Sequence, residues 1–281
     1  MTSITAFTWN LNRSEAAVTL AVDYLSALGG AFVAAFQEAP DSLAAALPSG
    51  AGAPKLIAPH ASSVPATGIA IVASPNVARD PTAPVFSSER LEAVHLLIAG
   101  KRCAIAAVHG PDLVNNSTER DRAEWGLFAS DTLHAFWHDG PLIVLGDFNA
   151  NPWTSEMTSR RGFLASREAD WREHHRESYR MPYSGVKRRP LLNPMWPLVV
   201  QSGWSAASYK GRHEDVSWHL IDQIVISSDL APSNPPPRPS VLTQLETASQ
   251  VVRLVDDQER LSPGWSDHLP VRLDLHLPQA S

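Results

Sequence analysis

Six short apolar runs, each with a polar group at one end, constrain this chain more than any other feature. The plainest is Pro141-Leu142-Ile143-Val144-Leu145-Gly146-Asp147-Phe148-Asn149, long enough for a buried strand and ending in Gly-Asp-Phe-Asn. Side chains alternate faces along extended chain, so Asp147 and Asn149 are predicted on one side and Phe148 on the other. A carboxylate and an amide on one side of a strand end can hold a metal ion or a phosphate oxygen. A single strand-Gly-Asp turn is usually structural; recurrence of the design changes its meaning.

It recurs five times. Ile4 to Trp9 ends in Asn10-Leu11-Asn12, Ala31 to Phe36 in Gln37-Glu38, and Arg102 to Val108 in His109-Gly110. Asp222 opens an Ile-Val-Ile run ending at Ser227, and Ser266-Asp267-His268 precedes Leu269 to Leu277. If the strands that start on polar residues run antiparallel to those that end on them, all six edges share one rim. That requires mixed sheets with helices outside, an α/β or α+β fold.

The connections agree. Ser14 caps a helix carrying Val18, Val22, Leu25 and Leu28, stopped by Gly29-Gly30. Asp41 to Leu47 reads as a short helix. Residues 48–66 are loop with a strand at Lys55–Ala58, and Gly68 to Ala73 is another strand. Leu91 to Ile98 turns at Gly100-Lys101 into the next run. Thr118-x-x-Asp121 is a capping box opening a helix with Trp125, Phe128, Thr132 and Phe136 on one stripe, ending near His138. Residues 191–202 are partly apolar and of undetermined type, and Pro232 to Pro239 is an extended loop.

The 281 residues carry a net charge of −6, which excludes a strongly basic nucleic-acid binder. The balance is uneven. Residues 157–190 hold nine Arg and Lys against four acids, a local excess of five that leaves −11 on the rest. This insertion-like segment follows the Asp147 edge, and its Trp171, Tyr179 and Tyr183, with Trp153 just before it, are expected to stack on bases. Arg188 and Arg189 are expected to touch nucleic acid. The alternative is a solvated helix with alternating charges. The one cysteine, Cys103, lies in an apolar run and reads as a buried thiol. No signal peptide or membrane span is seen, and there is no break marking a second domain. One domain over 1–281, cytoplasmic, taken as a monomer, is the expectation.

If the six edges meet, Glu38, Asp147, Asp267 and Asp222 join Asn10, Asn12, Asn149, His109 and His268. A set rich in oxygen, with few nitrogens and no thiolate, suits Mg²⁺ or Mn²⁺ rather than Zn²⁺.

The ordered motifs Trp9-Asn10-x-Asn12, Gln37-Glu38, Val108-His109, Gly146-Asp147-x-Asn149, Asp222 before Ile-Val-Ile, and Ser266-Asp267-His268 resemble the endonuclease/exonuclease/phosphatase superfamily. That group includes exonuclease III-like and deoxyribonuclease I-like enzymes, and the resemblance runs from residue 4 to 276. It implies a four-layer sandwich of two mixed sheets flanked by helices, with the site at one edge, and metal-assisted hydrolysis of a phosphate ester. It implies Glu38 as metal ligand with Asn10 beside it and Asp267 directly or through water. His268 would be general base or transition-state hydrogen-bond donor, with Asp222 fixing its tautomer. Asp147 would orient the attacking water, and Asn149 and His109 would stabilise the phosphate. Asn12 stands where many relatives carry Asp, which removes one negative charge from the metal site.

His134 and His138 lie four apart near a helix C-terminus and read as a solvated face, while His174-His175 sit in a charged segment. The substrate expected first is DNA or RNA; the alternative is a small or lipid phosphate ester. Inositol-phosphate phosphatases of the superfamily follow Asp-x-Asn with Tyr-Arg and carry Trp-Cys-Asp-Arg, whereas this chain has Ala150-Asn151-Pro152 and Leu220-Ile221-Asp222-Gln223.

Overall fold

The apolar runs pair into two mixed sheets. The structure, a computed structural model, describes residues 2–58, 68–112, 118–138, 140–167, 179–180, 184–199, 209–210, 218–230, 236–258, 260–262 and 264–278. In chain order the strands are β1 (Thr2–Asn10), β2 (Ala31–Gln37), β3 (Lys55–Ala58), β4 (Ala70–Ala73), β5 (Val77–Arg79), β6 (Phe86–Ser87), β7 (Leu91–Ile98), β8 (Lys101–His109), β9 (Leu142–Asp147) and β10 (Ala165–Ser166). There follow β11 (Tyr179–Arg180), β12 (Lys187–Arg188), β13 (Leu191–Leu192), β14 (Tyr209–Lys210), β15 (Trp218–His219), β16 (Asp222–Ser227), β17 (Arg238–Val241), β18 (Gln244–Glu246), β19 (Val251–Arg253) and β20 (Val271–Leu277). The helices named below are α1 (Glu15–Ala27), α2 (Ser42–Ala46), α3 (Glu119–Phe136) and α4 (Ser155–Thr158).

One sheet has the order β17-β20-β1-β2-β4-β3 and the other β10-β13-β16-β9-β8-β7-β5, with β6 beside β7. Each is built on one central parallel pair, β1 with β2 and β8 with β9, whose outer neighbours are antiparallel. The parallel pairs need crossovers, and α1 and α3 supply them. Ser14 caps α1 by accepting from the Ala17 amide, and Thr118 with Asp121 forms the expected capping box on α3.

Three apolar clusters fill the gaps between four layers. Ile4, Ala6, Val33 and Leu273 from one sheet meet Ile105, Ile143, Leu145 and Ile224 from the other. Val18, Ala21 and Leu25 of α1 cover Phe7, Trp9 and Phe36 on the outside of the first sheet. Ala129 and Leu133 of α3 cover Ala106 and Val144 on the second. The α/β sandwich expected from the sequence is the fold observed. Cys103 is buried in the central layer, where burial pushes its thiol up to about 12.

Two readings of α3 change. Its fully buried face is Arg122, Gly126, Ala129, Ser130, Leu133 and His134; of the expected stripe, Trp125 and Phe136 are half-buried against the core, and Phe128 is 51% exposed. Small residues at 126 and 129 bring the helix close to the chain, with Gly126 against Glu156 and Gly162. His134 is buried rather than solvated, its ring nitrogens 2.8 Å from the Ser130 carbonyl and 2.9 Å from that of Arg189.

The basic segment also reads differently where it is described. Arg188 is fully buried and clamps three pieces of chain together. Its Nε donates to Asp131 at 2.8 Å, one terminal nitrogen to the carbonyls of Arg160 and Gly162, and the other to that of Leu127. The nitrogen that meets Leu127 also lies 2.7 Å from Asp131, so no donor is left for a phosphate. Arg189 lies over the Trp137 ring, 5.4 Å from its centre, just past the end of α3. That end leads into β9, whose far end carries Asp147, so Arg189 lies about 16 Å along the strand direction from the rim. Trp171 and Tyr183, His174-His175 and all four of the segment's acids lie outside the described residues, as does the side chain of Tyr179.

Removing one partner of a buried ion pair strands the other, so Arg188→Ala should lower unfolding stability by about 3–5 kcal/mol in urea titrations. The salt dependence of any nucleic-acid binding should not change. A fully stable variant with a flattened salt slope would return Arg188 to the surface role.

Candidate active site

The topology puts all six polar edges on one rim. β1, β2, β8 and β9 end there, and β16 begins there beside β9, with Asp222 paired to Asp147 and His109 to Asp147 in adjacent registers. Cross-strand partners share a face, so His109, Asp147 and Asp222 form a row across the second sheet. Gly146 lets that row form. Its φ is +147°, and a side chain there would bring Cβ to 2.1 Å from the Val108 carbonyl oxygen. Facing the row, Asn10 reaches across from the first sheet and donates to Asp147 Oδ2 at 3.0 Å. His268, just before β20, reaches Asp222 Oδ2 through Nδ1 at 2.8 Å.

Both Asx-x-Asn motifs close in the same way, and this corrects the period-two argument. Asn10 Oδ1 accepts from the Asn12 amide at 3.0 Å, and Asp147 Oδ1 from the Asn149 amide at 2.8 Å. Asn12 and Asn149 then take φ of 46° and 50°, a left-handed turn conformation that Asn tolerates better than most residues. The strands therefore stop at Asn10 and Asp147, and the second residue of each motif is placed by the turn. Asn12 Nδ2 donates to Asp267 Oδ1 at 2.9 Å, and Asn149 Nδ2 to the Gly110 carbonyl at 2.9 Å. Glu38 also has positive φ, 48°, just past β2. With Arg13 at 56°, four left-handed non-glycine residues lie on one rim, strain of the kind folds tolerate at working sites.

The rim is electrostatically tense. Asp147 is buried, and burial followed by the nearby Asp222 carboxylate raises its carboxyl to about 7. Burial opposes charge on His268 too, but Asp222, with Asp147 and Asp267 behind it, outweighs that and holds the imidazolium to about 10. Glu38 is raised by burial, which the Asn10 amide at 3.5 Å and Arg13 at 3.8 Å only partly offset. His109 Nε2 lies 3.9 Å from both Glu38 Oε1 and Asp147 Oδ2.

All nine residues singled out from the sequence thus meet through direct contacts or short chains of them. Among the described residues, Asp147, Asp222 and His268 are also a group able to hold a metal ion, with one ligand atom from each within 4.8 Å of the others. An ion there would replace the proton between His268 and Asp222. The half-buried Glu38 carboxylate, with Asp267 nearby, is an oxygen site whose charge lacks full compensation, and this donor set fits a hard divalent cation. Sequence reasoning missed Arg13, Asn151, Tyr209 and His219 around the rim. Only Asn151, two residues after Asn149, carried any local signal.

Buried carboxylates, an imidazolium and a cluster of oxygen donors at one sandwich edge suit hydrolysis of phosphate esters. The sequence profile of the Endonuclease/Exonuclease/phosphatase family matches residues 7–268, and the chain belongs to that family, whose members depend on a divalent metal. Among solved structures it is similar to an endonuclease/exonuclease/phosphatase family protein from Bacteroides thetaiotaomicron, at 14% identity and TM-score 0.63 over 99% of each chain. It is similar also to the mannosyl-6-phosphatase Bt3783 of the same organism, at 14% identity and TM-score 0.60 over 98% of this chain and 100% of that one. D. rerio TDP2 complexed with single strand DNA product matches at 14% identity and TM-score 0.55 over 98% and 99%. No curated protein matches the chain in sequence. No helix among the described residues is long and apolar enough to cross a membrane.

If Glu38 is the main cation ligand, Glu38→Gln should weaken Mn²⁺ binding at least about tenfold by calorimetry, the loss of a charged ligand. Asn12→Asp, which adds a carboxylate beside Asp267, should tighten it. Unchanged affinity in both variants would move the ion to the Asp147–Asp222–His268 group.

Proposed function

We propose that the chain hydrolyses phosphodiesters of nucleic acid with Mg²⁺, for which Mn²⁺ can substitute. The observation that carries this reading is the buried Asp147–Asp222–His268 arrangement facing Glu38 across the rim. Glu38 would hold the cation, with Asp267 as a direct or water-mediated ligand and Asn10 alongside. When bound, the ion would neutralise phosphoryl charge and stabilise the leaving oxygen.

The remaining work falls to protein groups. Asp147, with its proton affinity raised into the neutral range, orients the attacking water and takes its proton. His268 has Nδ1 committed to Asp222, so it presents Nε2–H to a phosphoryl oxygen. An imidazolium held to about 10 serves as a donor at neutral pH, so of the two roles open to His268 we assign the hydrogen-bonding one. His109 adds a donor from the other side of Asp147. Asn149 spends one amide hydrogen on Gly110 and keeps the second for phosphate. Asn12 holds Asp267 in place.

Nucleic acid is supported by the exposed Trp153, 52% accessible and four residues after Asn149, as a stacking surface, and by Arg13 next to Glu38. The TDP2 relative with bound DNA product agrees. The second reading, a small phosphate ester, is favoured by the burial of Arg188, which removes one charge expected to attract a polyanion, and by the mannosyl-6-phosphatase relative. The proposal treats residues 1–281 as one domain acting as a cytoplasmic monomer.

A panel of single- and double-stranded DNA, RNA, abasic DNA, inositol phosphates, mannose 6-phosphate and sphingomyelin, with Mg²⁺ or with EDTA, tests it. Cleavage of nucleic acid that EDTA abolishes is expected; turnover confined to a monoester selects the second reading. The rate also has a signed pH dependence. Asp147 must be ionised and His268 protonated, so kcat should rise on an acidic limb at or below about pH 7 and fall on an alkaline limb at or below about pH 10, the bound cation moving both downward. Asp222→Asn removes the charge holding the imidazolium, so the alkaline limb should move to lower pH. An unmoved limb would separate His268 from the rate.

A further inference from the structure

We propose that Tyr209 and Asn151 are positioning residues that brace His268 against Asp222 through the ribbon β14/β15. The inference rests on the hydrolytic reading only for its kinetic tests.

One hydrogen bond to Asp222 leaves the His268 ring able to swing about that bond. The backbone on either side is held: the His268 amide donates to Ser266 Oγ at 3.1 Å, and its carbonyl accepts from Trp9 Nε1 at 2.9 Å. The ring itself meets Tyr209, with centres 4.8 Å apart and planes inclined at 43°. Tyr209 also pairs with His268 as an isolated antiparallel bridge, so the two side chains share a face.

On its other side Tyr209 pairs with His219, their rings 6.5 Å apart. Asn151 holds that end of the ribbon twice. Its Nδ2 donates to His219 Nδ1 at 3.3 Å, and its Oδ1 accepts from the Leu220 amide at 3.0 Å. Asn151 belongs to the turn that follows Asp147, and Asp147 is in register with Asp222. The contacts therefore close a circuit: Asp147, Asn151, His219, Tyr209, His268, Asp222 and back to Asp147. Loosening either Asn151 or Tyr209 opens it at a different point, and in both cases the imidazole loses its lateral support.

The test uses Tyr209→Ala, Tyr209→Leu, Tyr209→Phe, Asn151→Ala and the Asn151→Ala/Tyr209→Ala double variant in the 281-residue chain, each checked for folding by melting temperature. With Mg²⁺, kcat on an oligonucleotide and on bis(p-nitrophenyl) phosphate should fall about tenfold or more in Tyr209→Ala, Tyr209→Leu and Asn151→Ala, the cost of a misplaced group. KM should stay within about twofold for both substrates. Tyr209→Phe should keep wild-type kcat. The double variant should lose no more than the worse single one, because both open one circuit. In metal-free protein, the downfield proton resonance of His268 Nδ1–H should broaden in the truncated variants and stay sharp in Tyr209→Phe. Additive losses, a loss confined to KM or to one substrate, or an unaltered Nδ1–H resonance would overturn the proposal. If the wild type turns over neither substrate the hydrolytic reading fails, and the resonance still decides the brace.

Discussion

Two buried hydrogen bonds cross from one sheet to the other at the rim, and the site depends on them. Asn10 of the first sheet donates to Asp147 of the second, and His268 of the first donates to Asp222 of the second. Asp147 and Asp222 sit in register on neighbouring strands, both buried, an arrangement that like charges resist. A neutral amide and a cation supplied from the opposite sheet offset that repulsion. The antiparallel pairing of β20 with β1 is what brings His268 within reach, so the topology of one sheet makes the carboxylate pair of the other tolerable.

The two sheets solve the same local problem twice. Each has a central parallel pair joined through a helix, and each places an Asx-x-Asn turn at the rim end of one strand of that pair. In both turns the first side chain caps the amide of the third residue while the middle one, Leu11 or Phe148, anchors the turn in an outer core cluster. The outcomes differ because the first residue is an amide in one sheet and a carboxylate in the other. Asn10 becomes the donor and Asp147 the acceptor of the bond between them.

Much of this was legible in the sequence. Apolar runs with polar ends identified the central strands, and the sense in which each end was polar implied the antiparallel pairing that gathers them. Asn149 and Asn12 were found by an argument that fails just past Asp147 and Asn10. They lie on the rim because a turn carries them there, which alternation cannot foresee. Arg188 and His134 could not be placed, because charge on a sequence does not say whether carbonyls and an aspartate from α3 and the chain after α4 will surround it. The α3 face was only partly read for a related reason: Trp125 and Phe136 flank the buried face as its large apolar residues, but close packing put Gly126 and Ala129 at its centre and left Phe128 outside. Tyr209 is a long-range case, since its pairing with His268 joins residues 59 positions apart in the chain.

The raised proton affinities of Asp147 and His268 tie assembly of the fold to solution acidity. Both groups hold a proton more tightly in the folded protein than in the open chain, Asp147 to about 7 from 3.8 and His268 to about 10 from 6.5. The metal-free chain therefore takes up protons as it folds, and these two groups favour the folded state most below pH 4, progressively less up to about pH 10. A cation at Glu38 adds positive charge beside the same groups and drives protons back out. The unloaded protein is thus held together in part by the Asp147 proton, which the working enzyme releases while His268 keeps its own, and acid and metal act as competing ligands for one set of buried charges.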